Sequence, residues 1–219
     1  MPIDSGNISI ANRLVLGTRS FEGVQEADHD FSRLDLTECV FVRCNFAGCN
    51  FFGATITDTK WIGCRMKGAQ LGSLEAIGAQ FKSCDLSNTD WTRSNLNGTL
   101  FEQCKLTGAN FSSCMLLDVY FQESILVSVF LPGASFRKRI LTNIDFSDAD
   151  LRDVDFRECI FHGCRMRGAS LRSCRFEGAD LRECDLGPLK LSEATTLKGA
   201  VISKEQATDL LRGYGLVVL

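Results

Sequence analysis

Histidine is almost absent from this chain: there are two in 219 residues, and His29 and His162 occupy unrelated places in it. No phosphate loop, nucleophile elbow or metal-ligand cluster accompanies them, so the sequence offers no site for catalysis, a cofactor or a metal. No apolar run approaches the roughly 18 to 20 residues that a membrane span needs. The stretch Met1 to Ile10 carries Asp4 but neither a basic nor an apolar targeting region, and the chain reads as cytoplasmic. A surplus of either charge is also missing, since 24 Lys and Arg against 27 Asp and Glu leave a net −3. That is too acidic for an evident nucleic-acid binder and too weakly acidic to announce a nucleic-acid mimic. Cysteine is the exception, with 11 copies, but an odd count without an export signal argues against a disulfide framework.

What the chain has is a period of five. From Phe31 to Leu191 every fifth residue is apolar, 33 positions in succession, with Ala76 the one small member. At 45% apolar content such a run has a chance probability on the order of 10⁻¹¹. Two residues before each lies a second series, Leu34 to Leu189, in which 31 of 32 positions hold Cys, Ala, Ser, Thr, Val, Leu or Ile. Arg139 is the exception. Side chains two apart that point the same way belong to extended backbone, whereas a helix would scatter a five-residue repeat around its circumference. Eleven of the 13 glycines within the repeat fall two residues after the large apolar one, where a type II turn asks for positive φ.

Units such as Cys44-Asn45-Phe46-Ala47-Gly48, Ala149-Asp150-Leu151-Arg152-Asp153 and Ala179-Asp180-Leu181-Arg182-Glu183 resemble the A(D/N)LXX signature of pentapeptide-repeat proteins. The resemblance implies an all-β fold, a right-handed quadrilateral β-helix with four pentads per coil and residues 20 apart stacked on one another. About eight coils at roughly 4.8 Å make a rod about 40 Å long. Residues 1–30 are expected to form an N-terminal cap with a partial first coil, with Leu16 and Phe21 in phase. Residues 31–195 form the β-helix, and 196–219 a capping helix and tail.

Stacking by 20 gives columns. One core column, Phe41, Trp61, Phe81, Phe101, Phe121, Leu141, Phe161, Leu181, is an expected aromatic stack. Cys44, Cys64, Cys84, Cys104, Cys164 and Cys184 share a second, and read as small buried fillers rather than as metal ligands, which would have to converge from different directions. Outside, Arg65, Asp85, Lys105 and Asp145, Arg165, Asp185 alternate in sign, with Asp155 beside Arg175, and suggest ion-pair ladders. The acidic girdle Asp145, Asp148, Asp150, Asp153, Asp155, Glu158 reads either as a partner site or as part of those ladders. The outward column Leu100, Tyr120, Ile140, Ile160, with Met115, Leu117, Ile125, Val127 and Phe130 nearby, reads either as a contact surface or as cross-strand packing. Arg139 in an inward phase predicts a bulge or kink over 136–143, because an unpaired charge there is costly.

At the C-terminus Ser203-Lys-Glu-Gln206 resembles a capping box opening a short helix that ends near Gly213 or Gly215. Ala207, Leu210, Leu211 and Tyr214 give it an apolar side, and the tail Leu216, Val217, Val218, Leu219 asks for burial, most simply in a homodimer. This terminal pattern is similar to the topoisomerase-protecting branch of the family, represented by Qnr, MfpA and AlbG. That likeness implies a tail-to-tail dimer that imitates duplex DNA, engages DNA gyrase or topoisomerase IV, and protects it from quinolones or natural-product poisons. The chain departs from the branch in its small net charge and in a register without room for projecting loops. A non-catalytic interaction scaffold using the apolar column is the competing expectation.

Overall fold

The computed structural model describes residues 10–188, 195–213 and 215–218. Three-residue strands recur every 20 residues as β1 (Ser20–Glu22), β2 (Val40–Val42), β3 (Lys60–Ile62), β4 (Gln80–Lys82), β5 (Leu100–Glu102), β6 (Tyr120–Gln122) and β7 (Ile140–Thr142). Two longer ones follow, β8 (Ile160–Arg165) and β9 (Asp180–Asp185). Within each sheet successive strands pair in parallel with residues 20 apart opposite each other, as in Phe41 with Trp61 and Phe81 with Phe101, save a one-residue shift that sets His162 opposite Glu183. The other sides are joined by single parallel bridges at the same spacing, such as Asn45 with Arg65, Asp90 with Asn110 and Asp155 with Arg175. From β1 to β9 the chain makes eight coils of a right-handed quadrilateral β-helix.

The core follows from the two inward phases. Rings of Phe21, Phe41, Trp61, Phe81, Phe101 and Phe121 stack with centroids 4.2 to 5.8 Å apart and interplanar angles below 20°. Each such pair contributes about 0.5–1.5 kcal/mol beyond its area burial. In the small column the thiols of Cys64, Cys84, Cys104 and Cys164 each point at a carbonyl of the preceding coil (Phe41, Trp61, Phe81, Leu141) at 3.3–3.4 Å. Ser124 makes the same contact to Phe101 O at 3.3 Å, so the column selects a small weak donor rather than cysteine chemistry.

Corner geometry is more demanding than the glycine pattern suggests. Gly48 and Gly168 sit at φ +68°, but among the described residues twenty non-glycines also adopt positive φ, including Arg43 at +52° and Asn88 at +55°. The stacked coil fixes the left-handed corner and glycine only relaxes it, since an L-residue there costs about 1–2 kcal/mol.

Both ends are covered. Helix α1 (Ile10–Val15) buries Ile10 and Leu14 against the first coil, and Arg13 lies 4.6 Å from the Phe21 ring centroid. Leu16 does not keep the core phase: it is 75% exposed, because the chain is still leaving α1 there. At the other end Leu197 is buried and Val201 bridges Asp180, extending the stack past β9. Helix α2 (Lys204–Arg212) opens on a capping box in which Ser203 Oγ accepts from Gln206 N and Ser203 N donates to Gln206 Oε1. Leu189 and Leu191, the last positions of the repeat read from sequence, lie outside the described residues.

The ladder is interrupted between β6 and β7. The strands form a six-stranded sheet, β1–β6, and a separate three-stranded sheet, β7–β9. On the adjacent side Met115 and Ser135 form no bridge, although Asn95 with Met115 and Ser135 with Asp155 do. The break falls at Arg139, within the span where the sequence predicts a bulge or kink.

Candidate functional site

The acidic girdle is largely engaged within the rod. Asp145 Oδ1 accepts from Ser147 N at 3.0 Å, Asp150 Oδ1 from Arg152 N at 3.2 Å and Asp155 Oδ1 from Arg157 N at 3.1 Å. The same turn is made by Asp30, Asp35, Asp85, Asp90, Asp180 and Asp185, each onto the N–H two residues on. This is why the repeat favours Asp or Asn before its large residue: the short side chain caps the corner's free amide. Cations complete the neutralisation. Asp150 pairs with Arg152 at 2.8 Å, Asp155 with Arg157 at 2.7 Å and Arg175 at 2.8 Å, and Glu158 with Arg137 at 2.7 Å. Bonds from these arginine side chains hold the carboxyls of Asp150, Asp155 and Glu158 below the usual range. Asp148 and Asp153 are exposed and form no ion pair among the described residues.

The expected ladders are therefore partial. Asp145 meets Arg165 at 3.4 Å, but Asp185 is taken by Arg167 at 2.6 Å. Asp85 turns onto Ser87 and pairs with neither Arg65 nor Lys105. Intracoil capping wins because its donor is fixed by the backbone, whereas an exposed lysine or arginine must be ordered to reach the neighbour.

The apolar column is present but divided. Tyr120, Ile140 and Ile160 are 44%, 65% and 39% exposed, and Leu100 is half-buried. Leu100 pairs with Tyr120 and Ile140 with Ile160, while Tyr120 and Ile140 flank the break. Met115, Leu117 and Ile125 are exposed in the adjoining coil, and Val127 and Phe130 are half-buried.

Arg139 makes the break. Its guanidinium leaves the inward phase and donates from Nη1 to Val119 O at 3.3 Å and from Nη2 to Asp118 Oδ1 at 2.7 Å, lying 4.2 Å from the Tyr120 ring centroid. Val119 O is the acceptor that Ile140 N would use in a regular coil, as Tyr120 N uses Thr99 O at 2.9 Å. A cavity of about 320 Å³ opens between Tyr120, Phe121, Phe136, Arg139, Ile140 and Leu141.

At the C-terminus Gln206, expected only as part of the capping box, also donates from Nε2 to Leu181 O and Cys184 O at 2.8 and 2.7 Å and so anchors α2 to the last coil. None of the α2 side chains is buried. Ala207, Leu210 and Val218 are half-buried, and Leu211, Leu216 and Val217 are 44%, 54% and 85% exposed. Tyr214 and Leu219 lie outside the described residues.

Among the described residues no group of three or more His, Cys, Asp or Glu converges as metal ligands would, and no helix is long and apolar enough to cross a membrane. His162 is a surface residue whose Nδ1 lies 3.0 Å from Glu183 Oε2. The cysteines are free, and all but the half-buried Cys114 are buried.

The comparisons agree with this architecture. Pentapeptide repeats, in eight copies, match residues 30–68, 49–88, 77–112, 114–153, 131–168 and 149–187. No curated protein sequence matches the chain. Among solved structures, full-length QnrB1, described as a plasmid-mediated fluoroquinolone resistance protein, is 23% identical, with 90% of this chain and 100% of that chain aligned at a TM-score of 0.79. A trypsin-treated variant of QnrB1 is 24% identical over 91% and 99% of the two chains, at a TM-score of 0.80. With the five-residue period, the stacked coils and the repeat match over most of its length, the chain belongs to the pentapeptide-repeat family.

Proposed function

We propose that the protein is a non-catalytic, cytoplasmic binding rod that engages DNA gyrase or topoisomerase IV and protects it from quinolones or related poisons. The observation that carries this reading is the alignment with QnrB1, a fluoroquinolone resistance protein, over 90% of this chain and 100% of that chain. In this reading the rod occupies the groove through which the enzyme holds duplex DNA. Because Asp145, Asp150, Asp155 and Glu158 are paired with arginines, shape contributes more to the mimicry than net charge, and Asp148 and Asp153 are the girdle carboxylates left to meet basic residues. The apolar residues Ala207, Leu210, Leu211, Tyr214, Leu216, Val217 and Val218 join two copies tail to tail, which doubles the length of the rod. Binding of purified protein to immobilised gyrase and topoisomerase IV, with linear duplex DNA as competitor, tests the reading. Saturable binding displaced by DNA is expected, and a folded protein that binds neither enzyme overturns it.

A second reading, a scaffold for an unrelated partner, is favoured by the apolar surface at Tyr120 and Ile140.

A further inference from the structure

We propose that the junction between β6 and β7 is a hinge: the coils before and after it pivot about the two sides of the rod that stay laddered, and the Arg139 side chain holds the opposite corner ajar. The hinge is a mechanical property of the rod and stands apart from the topoisomerase reading.

The break is one-sided. On the sides that carry Ile125 and Phe130 the ladder onto the next coil persists. There Leu126 N, Ser128 N, Leu131 N and Gly133 N donate to Asp145 O, Ser147 O, Asp150 O and Arg152 O at 2.7–3.0 Å, and Asp150 N donates back to Val129 O at 2.8 Å. On the other two sides it is lost. In the preceding coil Leu96 N, Gly98 N and Tyr120 N reach Met115 O, Leu117 O and Thr99 O at 2.9 Å, but their counterparts Leu116 N, Asp118 N and Ile140 N make none of these bonds. Two bodies joined along two adjacent sides and released along the other two have one soft direction, rotation about the joined sides. Burial marks the same corner. Leu116 is the one large inward residue from Phe31 to Leu186 that is only half-buried, and Cys114 is the one half-buried cysteine. The cavity of about 320 Å³ beside Tyr120 and Ile140 lies on this side. Within the core the rings of Phe121 and Phe136 stay in contact, 6.2 Å apart, so the corner loosens without the coils separating.

Arg139 explains why the corner does not close. It occupies the inward small phase, where an unpaired guanidinium is too costly to bury, so the side chain must leave through the corner. On its way out it takes Val119 O, the acceptor of Ile140 N, and reaches Asp118. Among the described residues these two are the only hydrogen bonds that cross from 114–119 to 135–140. The side chain is wedge and tether at once: it keeps the two coils from zipping together and limits how far they part.

Pulsed electron spin resonance on the full chain tests the hinge. Spin labels are carried on ketone-bearing residues, so that the native cysteines stay untouched. One pair replaces Lys60 and Ile160, exposed on the side of the strands, and the other Gln70 and Ser170, exposed on the opposite, laddered side. Each pair spans the junction over five coils, about 24 Å. The Lys60–Ile160 distances should be about twice as broadly distributed as the Gln70–Ser170 distances. Arg139→Val frees Val119 O for Ile140 N, and should narrow the first distribution to the width of the second and slow amide exchange at Ile140 at least about tenfold. Equal widths in the wild type overturn the hinge, and that comparison decides even where the variant fails to fold. A folded Arg139→Val chain with the Lys60–Ile160 width and the Ile140 exchange unchanged overturns the role of Arg139.

Discussion

The indole Nε1 of Trp61 donates to Thr59 Oγ1 at 2.8 Å, and that hydroxyl donates in turn to Ile56 O at 2.6 Å. Trp91 and Thr89 repeat the arrangement, with 2.8 Å to the hydroxyl and 2.7 Å onward to Leu86 O. Trp61, Trp91, Thr59 and Thr89 are all buried, so the small-residue phase supplies the partner that a tryptophan in the large phase requires. Thr59→Val keeps the shape and strands the indole N–H, and should lower stability by about 1–3 kcal/mol. In a Trp61→Phe background the same change should cost less, and a denaturant double-mutant cycle measures the difference.

Asp155 is 5% exposed and holds two guanidiniums, Arg157 and Arg175, as well as Arg157 N. Asp155→Asn should destabilise by about 1–3 kcal/mol, because two charged donors lose a shared acceptor. The bond from the Arg157 side chain lowers the folded-state pKa of Asp155 below 3.8. Its stabilising contribution is therefore full above the unfolded-state value and is lost as pH falls through the folded one. Melting curves of the wild type and Asp155→Asn should converge on acidification below about pH 4.

Burial pushes the thiols of Cys49, Cys159 and Cys164 up to about 11 and that of Cys174 up to about 12, from an ordinary value of 9.0. The folded state thus prefers the protonated form. Stability should be unaffected below pH 9 and should fall as pH rises from 9 through 11 to 12, by about 1.4 kcal/mol per pH unit for each such thiol. Thiol titration at pH 8 should show slow labelling in the native state, fastest at the half-buried Cys114, and labelling of all 11 after denaturation.

Leu211, Leu216 and Val217 are exposed apolar residues at one end of the rod. Leu211→Lys with Val217→Lys should convert the expected dimer to a monomer in sedimentation velocity, with the β-helix spectrum retained. A wild-type chain that is monomeric at high concentration would remove the tail-to-tail arrangement.

Much of this architecture was legible because every coil repeats one rule: a large residue and a small one, two apart, face inward. Arg139 was legible as a break for the same reason, being a charge where 31 neighbours are small or apolar. What the break does was not, since the rotation of Arg139 onto Val119 O, Asp118 and Tyr120 depends on contacts 20 residues away. The acidic girdle holds a role beside ion pairing that charge counting does not register: Asp145, Asp150 and Asp155 each cap their own corner through a local backbone bond. Gln206 was legible as half of a capping box but not as an anchor, because only the folded terminus brings its amide to the carbonyls of Leu181 and Cys184.

Protection of a type II topoisomerase, as proposed, would show in gyrase supercoiling measured in the presence of a fluoroquinolone. Addition of the purified, folded protein at micromolar concentration should restore supercoiled product in a dose-dependent manner. Supercoiling that stays inhibited at every dose, with protein shown to be folded and dimeric, would contradict it.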